Sequence, residues 1–423
     1  MYSKVFFAIL LSICTSLAHA GKSFSGFSME RIQTEDTLPK FKPRVQVGGF
    51  LQVQGVATQD RPVTSADDAT RRWAKQAQIW RARFMLGGTV SRKTSFFVQT
   101  ELPTPIGVVD TGGRKNIQSP APILLDAQVE HTFNRYVSLV VGMQLVGINR
   151  NGLQSPVSLM GLEFGWFQYP YNLFENGPLG NNFGRDIGIN SRGFLANDRL
   201  EWRLGVFRGR STDPYSPFRS VFRFNYNFMD REKGLYYTGS TLGRQRLLAV
   251  GGGVDRQGSY TSAALDGFLD LPVGNLGAIT GQGSYMYLSG GNSADARSFT
   301  PLIPRQSIVF TELGFYFRQA KLQPYLKYEV QRMNVTQKQY QVNLQRPSMG
   351  LSDEAIAGEL SEFNQLSSNA RMGGGLNYYI NDFNCHVKLQ YEQVYYGRTD
   401  GLGNAQTKSG GEVKLQLTCF VFQ

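Results

Sequence analysis

The chain has 423 residues with 13% aromatics and 47 glycines but only 18% charged residues, which excludes a large soluble helical core and fits short amphipathic strands. Basic residues exceed acidic ones by 12, a balance that suits nucleic acid, anionic lipid or anionic solutes. No basic run is long enough for a nucleic-acid arm, so nucleic acid drops out and the charge is distributed.

Residues 1–20, "MYSKVFFAILLSICTSLAHA", read as a cleaved export signal. Lys4 supplies the positive start, Val5 to Leu17 the apolar core, and Ala18-His19-Ala20 the small-residue cleavage site. The apolar core is shorter than the roughly 20 residues of a spanning helix. Ile13 before Cys14 is bulkier than a lipoprotein cleavage site accepts. The mature chain is expected to begin near Gly21, outside the cytoplasm. Residues 21–43 form a polar lead-in without heptads, read as a short periplasmic segment.

From Arg44 onward, polar and apolar residues alternate with period two, the mark of strands with one wet and one oily face. Strands are predicted near 44–58, 77–91, 95–103, 123–134, 137–149, 185–196, 200–209 and 217–229. Eight more follow near 241–257, 259–273, 277–289, 306–319, 323–334, 368–380, 384–397 and 411–422. In the last strand, "GEVKLQLTCFVFQ", Lys414, Gln416 and Thr418 share the polar parity, and Val413, Leu415, Leu417 and Cys419 the apolar one. Most of these strands have the roughly 9–11 residues that a tilted strand needs to cross a bilayer.

The connections separate a sandwich from a membrane barrel. Short ones ("RKT" at 92–94, "NRY" at 134–136, "NDR" at 197–199, "GNLG" at 274–277, "AKL" at 320–322, "NDFN" at 381–384) alternate with long ones at 59–76, 104–122, 150–184, 290–305, 335–367 and 398–410. A sandwich has no reason to sort loop lengths by parity. Outer-membrane barrels do, with tight periplasmic turns and long extracellular loops. Two connections depart from the pattern: 230–240 is long for a turn, and 257–259 short for an outer loop. Residues 44–423 are therefore expected to form one all-β domain, a transmembrane antiparallel β-barrel of about 16 strands in the outer membrane. Its apolar parity faces lipid, and its closure removes the sheet edges.

Several stretches resemble the phosphate-selective porin O and P family. They are "GRDIGINSRGFLANDRLEWRLGVFRGR" (184–210), the central hairpins from "YTGSTLGRQRLLAVGGGVDRQG" to "GQGSYMYL" (237–288), "KLQPYLKYE" (321–329) and "GGGLNYYINDFNCHVKLQYE" (373–392). The resemblance implies a sixteen-stranded outer-membrane channel, a homotrimer, passing small anions of the phosphate kind with no cofactor. Such proteins finish on an outward-facing aromatic. Here Gln423 takes that parity and Phe422 the other.

With the apolar parity facing lipid, the other parity turns Arg81, Arg83, Arg192, Arg203, Arg219, Arg223, Lys327, Arg371, Lys388 and Lys414 toward the lumen, and these are the candidate anion-binding, pore-lining residues. Asp126, Glu130, Glu201, Glu329 and Glu392 share the face, so the lining is mixed. A turn centred near Asn197 to Arg199 sets Arg192 beside Arg203. The next loop, centred near Asp213, sets Arg203 opposite Arg223. Three guanidinium groups then form a row with neighbouring Cβ atoms about 4.5–5.5 Å apart. Such a row is destabilising unless acids or an anion neutralise it, and Glu201 is near enough to do part of that. Rings of Arg or Lys are a device of anion pores. The long connection 150–184 carries Leu153, Leu159, Leu162, Phe164, Trp166 and Phe167, too oily for a loop in water, and is expected to fold into the lumen and narrow it. Arg71 and Arg72 are further inward candidates.

Catalytic signatures are thin. No Gly-x-Ser-x-Gly elbow, His-Glu-x-x-His or phosphate-cradling Gly-Lys-Ser occurs, and "GGGVDRQG" (251–258) opens no helix. His131 reads as an interfacial ring and His386 as a pore-lining group. Passive passage of small anions leads, with a weakly selective general porin, an adhesive barrel and, last, an outer-membrane enzyme as alternatives. Cys385 and Cys419, on the last hairpin, are expected to face each other near the periplasmic rim as a possible disulfide, since that compartment is oxidising.

Overall fold

The computed structural model describes residues 41–59, 73–102, 122–166, 184–209, 217–258, 260–289, 305–334, 370–399 and 405–423, with a few isolated positions between them. The signal, most of the lead-in and Arg71 and Arg72 lie outside the described residues. Sixteen strands follow one another: β1 (Arg44–Gln59), β2 (Trp73–Thr89), β3 (Thr94–Glu101), β4 (Ile123–Asn134), β5 (Val137–Leu145), β6 (Arg185–Leu195), β7 (Leu200–Phe207) and β8 (Arg219–Asn227). The second half comprises β9 (Leu247–Gln257), β10 (Tyr260–Val273), β11 (Gly277–Ser289), β12 (Gln306–Phe317), β13 (Leu322–Met333), β14 (Ala370–Asn381), β15 (Cys385–Thr399) and β16 (Ala405–Phe422). Each pairs antiparallel with its neighbours, and β1 pairs with β16, so the sheet is a closed barrel.

Alternation does the sorting. Leu204, Leu265, Leu313 and Leu326 are exposed on the outer face, as a lipid-facing belt requires, while Asp266, Gln416, Thr418 and Lys388 on the opposite parity are buried inside. Phe133, Tyr136, Phe317 and Tyr378 beside the short turns, and Phe228 at the end of β8, are exposed at the strand ends, an aromatic girdle at the periplasmic interface. Gln423 closes the ladder through its backbone, its N–H donating to Val47 O at 3.0 Å. Phe422 turns inward, as its parity implies, and packs with Phe50, Tyr379, Phe383 and Phe420 at the periplasmic end of the lumen.

Sixteen strands enclose more width than side chains fill. Two connections occupy much of it here. β5 ends at Leu145, four residues before the predicted strand end, and the chain turns inward at Val146, residues 146–166 running through the lumen as the expected folded-in loop. The second is the irregular connection 228–246. It contains the start of the strand predicted from 241: Leu242 and Gly243 adopt left-handed φ of 56° and 75°, and β9 begins only at Leu247. Leu242 is buried in the periplasmic aromatic cluster, which favours the turn over an extended strand.

Candidate functional site

The arginine row has the register that the turn spacing predicts. Arg192 pairs with Arg203, and Arg203 with Arg223. Glu201 neutralises the first two, accepting from Arg192 Nη2 at 2.6 Å and Arg203 Nε at 3.0 Å. Asp266 takes Arg223 in a fork at 2.7 and 3.0 Å. Arg219 is forked by Asp255 at 2.9 and 2.6 Å and reaches Asp186 at 3.3 Å.

Further guanidinium donors go to main-chain carbonyls of the two inward connections. Arg192 Nη2 donates to Lys233 O and Gly234 O, both at 3.0 Å, Arg203 Nη1 to Leu235 O at 2.9 Å, and Arg223 Nη1 to Ile148 O at 2.7 Å. All four arginines are buried. Guanidinium groups packed this closely require carboxylates between them, and those carboxylates, with the connections, cover the row.

Tyr237 stands where the two connections meet. Its N–H donates to Leu153 O at 2.9 Å, and its carbonyl accepts from Ser155 N at 3.1 Å. Its hydroxyl donates to Glu201 Oε2 at 2.7 Å. The guanidinium carbons of Arg150, Arg203 and Arg223 lie 5.0, 4.9 and 5.1 Å from its ring centroid, a triple cation–π contact. Arg150 is itself clamped by Glu232 Oε1 at 2.8 Å and Thr238 O at 2.9 Å.

Residues 159–166 cross the wall of β12 to β15, and side chains of that wall take their backbone groups in turn. Lys388 Nζ donates to Leu159 O at 2.5 Å and Gly161 O at 3.0 Å, and Asn377 Nδ2 to Met160 O at 2.8 Å. Gln390 Oε1 accepts from Leu162 N at 3.1 Å. Lys327 Nζ donates to Glu163 O and Phe164 O, each at 3.3 Å, while Glu329 accepts from Trp166 N. Lys327 and Lys388 thus hold the connection in place. Leu153, Leu159, Met160 and Leu162 are buried by it, as their oiliness implies; Phe167 and the rest of the stretch to 183 lie outside the described residues.

Arg81 and Arg83, on β2, are buried too. Arg81 grips Glu163, on the inward connection, with two parallel bonds of 2.7 Å, and Glu163 Oε1 also accepts from Trp80 Nε1 at 2.5 Å. Arg83 Nε donates to Glu101 at 2.5 Å. The Arg81 and Glu163 side chains keep 10% and 17% of their exposure, against 1% for Arg223. Trp80 sits here because of a bulge: Gln52 pairs with Arg81 and Val53 with Ile79, leaving Trp80 as the extra residue. A bulge re-aims a side chain without breaking the sheet, and period-two reading has no signal for it. Burial pushes the Glu163 carboxyl up, and the Arg81 charge and hydrogen bonds more than reverse it, so Glu163 ionises below the usual carboxylate range.

His386 is buried against Tyr379 and Phe383. His131 Nδ1 lies 2.8 Å from Thr94 Oγ1, beside the Phe133 ring at the rim. Cys385 and Cys419 are directly opposed across β15 and β16, as the loop centre predicts. Phe420 N bonds to Asn384 O in the adjacent pair, so the cysteines occupy the closer, non-hydrogen-bonded position. Their sulfurs are not joined in the structure.

No family model matches the chain, and neither does any curated protein. Solved structures do. The chain is similar to OprB of Pseudomonas putida, at 9% identity and a TM-score of 0.55, over 90% of this chain and 94% of that one. It is similar to an anion-selective porin from Comamonas acidovorans, at 10% identity and 0.50, over 90% and 100%. The outer-membrane channel DcaP of Acinetobacter baumannii aligns at 12% and 0.49, over 90% and 98%. At such identities the likeness to the first two is one of fold alone, that of a closed outer-membrane β-barrel. The lipid-facing belt and closed sheet place the protein in the outer membrane.

Proposed function

We propose that the protein is an outer-membrane porin through which small polar solutes, small anions among them, diffuse passively with weak charge preference. One observation carries the weakness of that preference. Arg81, Arg83, Arg192, Arg203, Arg219, Arg223 and Lys327 each have a carboxylate partner, and Lys388 is spent on backbone carbonyls. A phosphate-selective lining needs cations that face water with charge to spare, so this pairing favours the general porin over the phosphate channel of the resemblance. The adhesive barrel and the enzyme have no observation of comparable weight. Assembly as a homotrimer belongs to the same proposal and rests on the resemblance alone.

Reversal potentials of the refolded protein in planar bilayers under a potassium chloride gradient test this reading. A small potential of anion-preferring sign is expected. Strong anion selectivity would restore the phosphate-channel reading, and absence of conductance would overturn the porin.

A further inference from the structure

The Arg81 fork has the geometry of a carboxylate-binding site, and the group in it belongs to the protein. Both Arg81 Nη atoms meet both Glu163 oxygens at 2.7 Å, the planar pairing in which guanidinium and carboxylate match best. The Trp80 indole adds a third donor at 2.5 Å, placed by the bulge. Gln52 Oε1 accepts from Arg81 Nη1 at 2.6 Å and orients the fork from behind. Glu163 enters from the opposite side, on a connection whose main chain is anchored by Lys327 and Lys388 on either side of it.

From this geometry we propose that Arg81 and Trp80 form a subsite for the carboxylate of small organic acids, and that Glu163 is its tethered competitor. The proposal deepens the porin reading and rests on it for the route by which solute arrives. Exchanging one carboxylate for another keeps the Arg81 guanidinium paired, so the swap avoids the large penalty of emptying the fork. A tethered group competes at an effective concentration in the millimolar range or above, which keeps solute contact brief, as conduction requires. Chloride, without a planar pair of oxygens, gains nothing from the fork.

The test is tryptophan fluorescence of the detergent-refolded full chain, titrated with sodium succinate at constant ionic strength. Glu163→Ala vacates the fork and should saturate at succinate concentrations at least about tenfold below those needed by the wild type, the factor that removing a tethered competitor implies. Glu163→Gln keeps the volume but not the charge, so it should shift the same way by less, and it serves if the alanine variant does not fold. Adding Arg81→Gln to either should abolish saturation, and chloride should produce none. Equal titrations of wild type and both Glu163 variants, or a response that survives Arg81→Gln, would overturn the proposal. The reversal-potential result is independent: a porin without this subsite still conducts, and a barrel that does not conduct still titrates or fails to.

Discussion

Glu201→Gln isolates the acid on which the arginine row depends. Its carboxylate accepts from Arg192 Nη2 at 2.6 Å, Arg203 Nε at 3.0 Å and the Tyr237 hydroxyl at 2.7 Å, all in a buried setting. Glutamine keeps the shape but leaves Arg192 with Glu130 at 3.7 Å, and Arg203 with no carboxylate partner within 4.0 Å among the described residues. Removing one partner of a buried ion pair costs about 3–5 kcal/mol. Every 1.4 kcal/mol is a factor of ten, so unfolding should accelerate by roughly two to three orders of magnitude where the pairs are absent from the transition state. The assay is the rate of barrel unfolding in detergent at fixed high temperature, followed by heat-dependent gel mobility. The variant should unfold faster than the wild type in sodium chloride and in sodium phosphate alike, because the connections keep solution anions from the row. Unfolding at the wild-type rate in every anion would refute the reasoning.

Two further outcomes follow from the site. Glu163 ionises below the usual carboxylate range, with Arg81 on β2 the main charge partner and Lys414 and Lys388 adding positive charge from β16 and β15. A depressed carboxyl keeps its stabilising pair at all pH values above the unfolded pKa and loses it as pH falls through the lower, folded one. Channel current should therefore stay level from neutral pH through the ordinary carboxylate range and change only below it; a midpoint within that range would contradict the pairing. For Cys385 and Cys419, opposition at a non-hydrogen-bonded position brings Cα atoms to about 4.5 Å, at the short end of what a disulfide accepts. Protein isolated from an oxidising periplasm should resist alkylation under denaturing conditions until reduced, and alkylation of both without reductant would disprove the bridge.

What the sequence disclosed and what it hid have physical causes. Strand number and order were legible because lipid on one side and a polar lumen on the other impose alternation along every strand. The register of Arg192, Arg203 and Arg223 was legible because a tight turn at 196–199, with Ala196, Asn197 and Asp198 all at positive φ, fixes the pairing beyond it. The burial of those arginines was not legible, since it depends on what covers them. That cover is the connection 228–246, whose excess length was visible but whose residues from 241 alternate enough to imitate a strand. Glu163 and Trp80 escaped for a related reason. A carboxylate on a connection has no parity, and an added residue in β2 shifts the parity from which Trp80 would be read as facing lipid.

Two inward connections, one from each end of the barrel, are proposed to set the width of the passive path. Single-channel conductance of the wild type beside a variant in which residues 230–244 are replaced by an Asn-Gly turn tests that role most directly. The account predicts a conducting wild type and a several-fold larger conductance in the variant, because Tyr237 and the carbonyls of Lys233 to Leu235 no longer occupy the lumen. Equal conductance from two correctly folded barrels would contradict it.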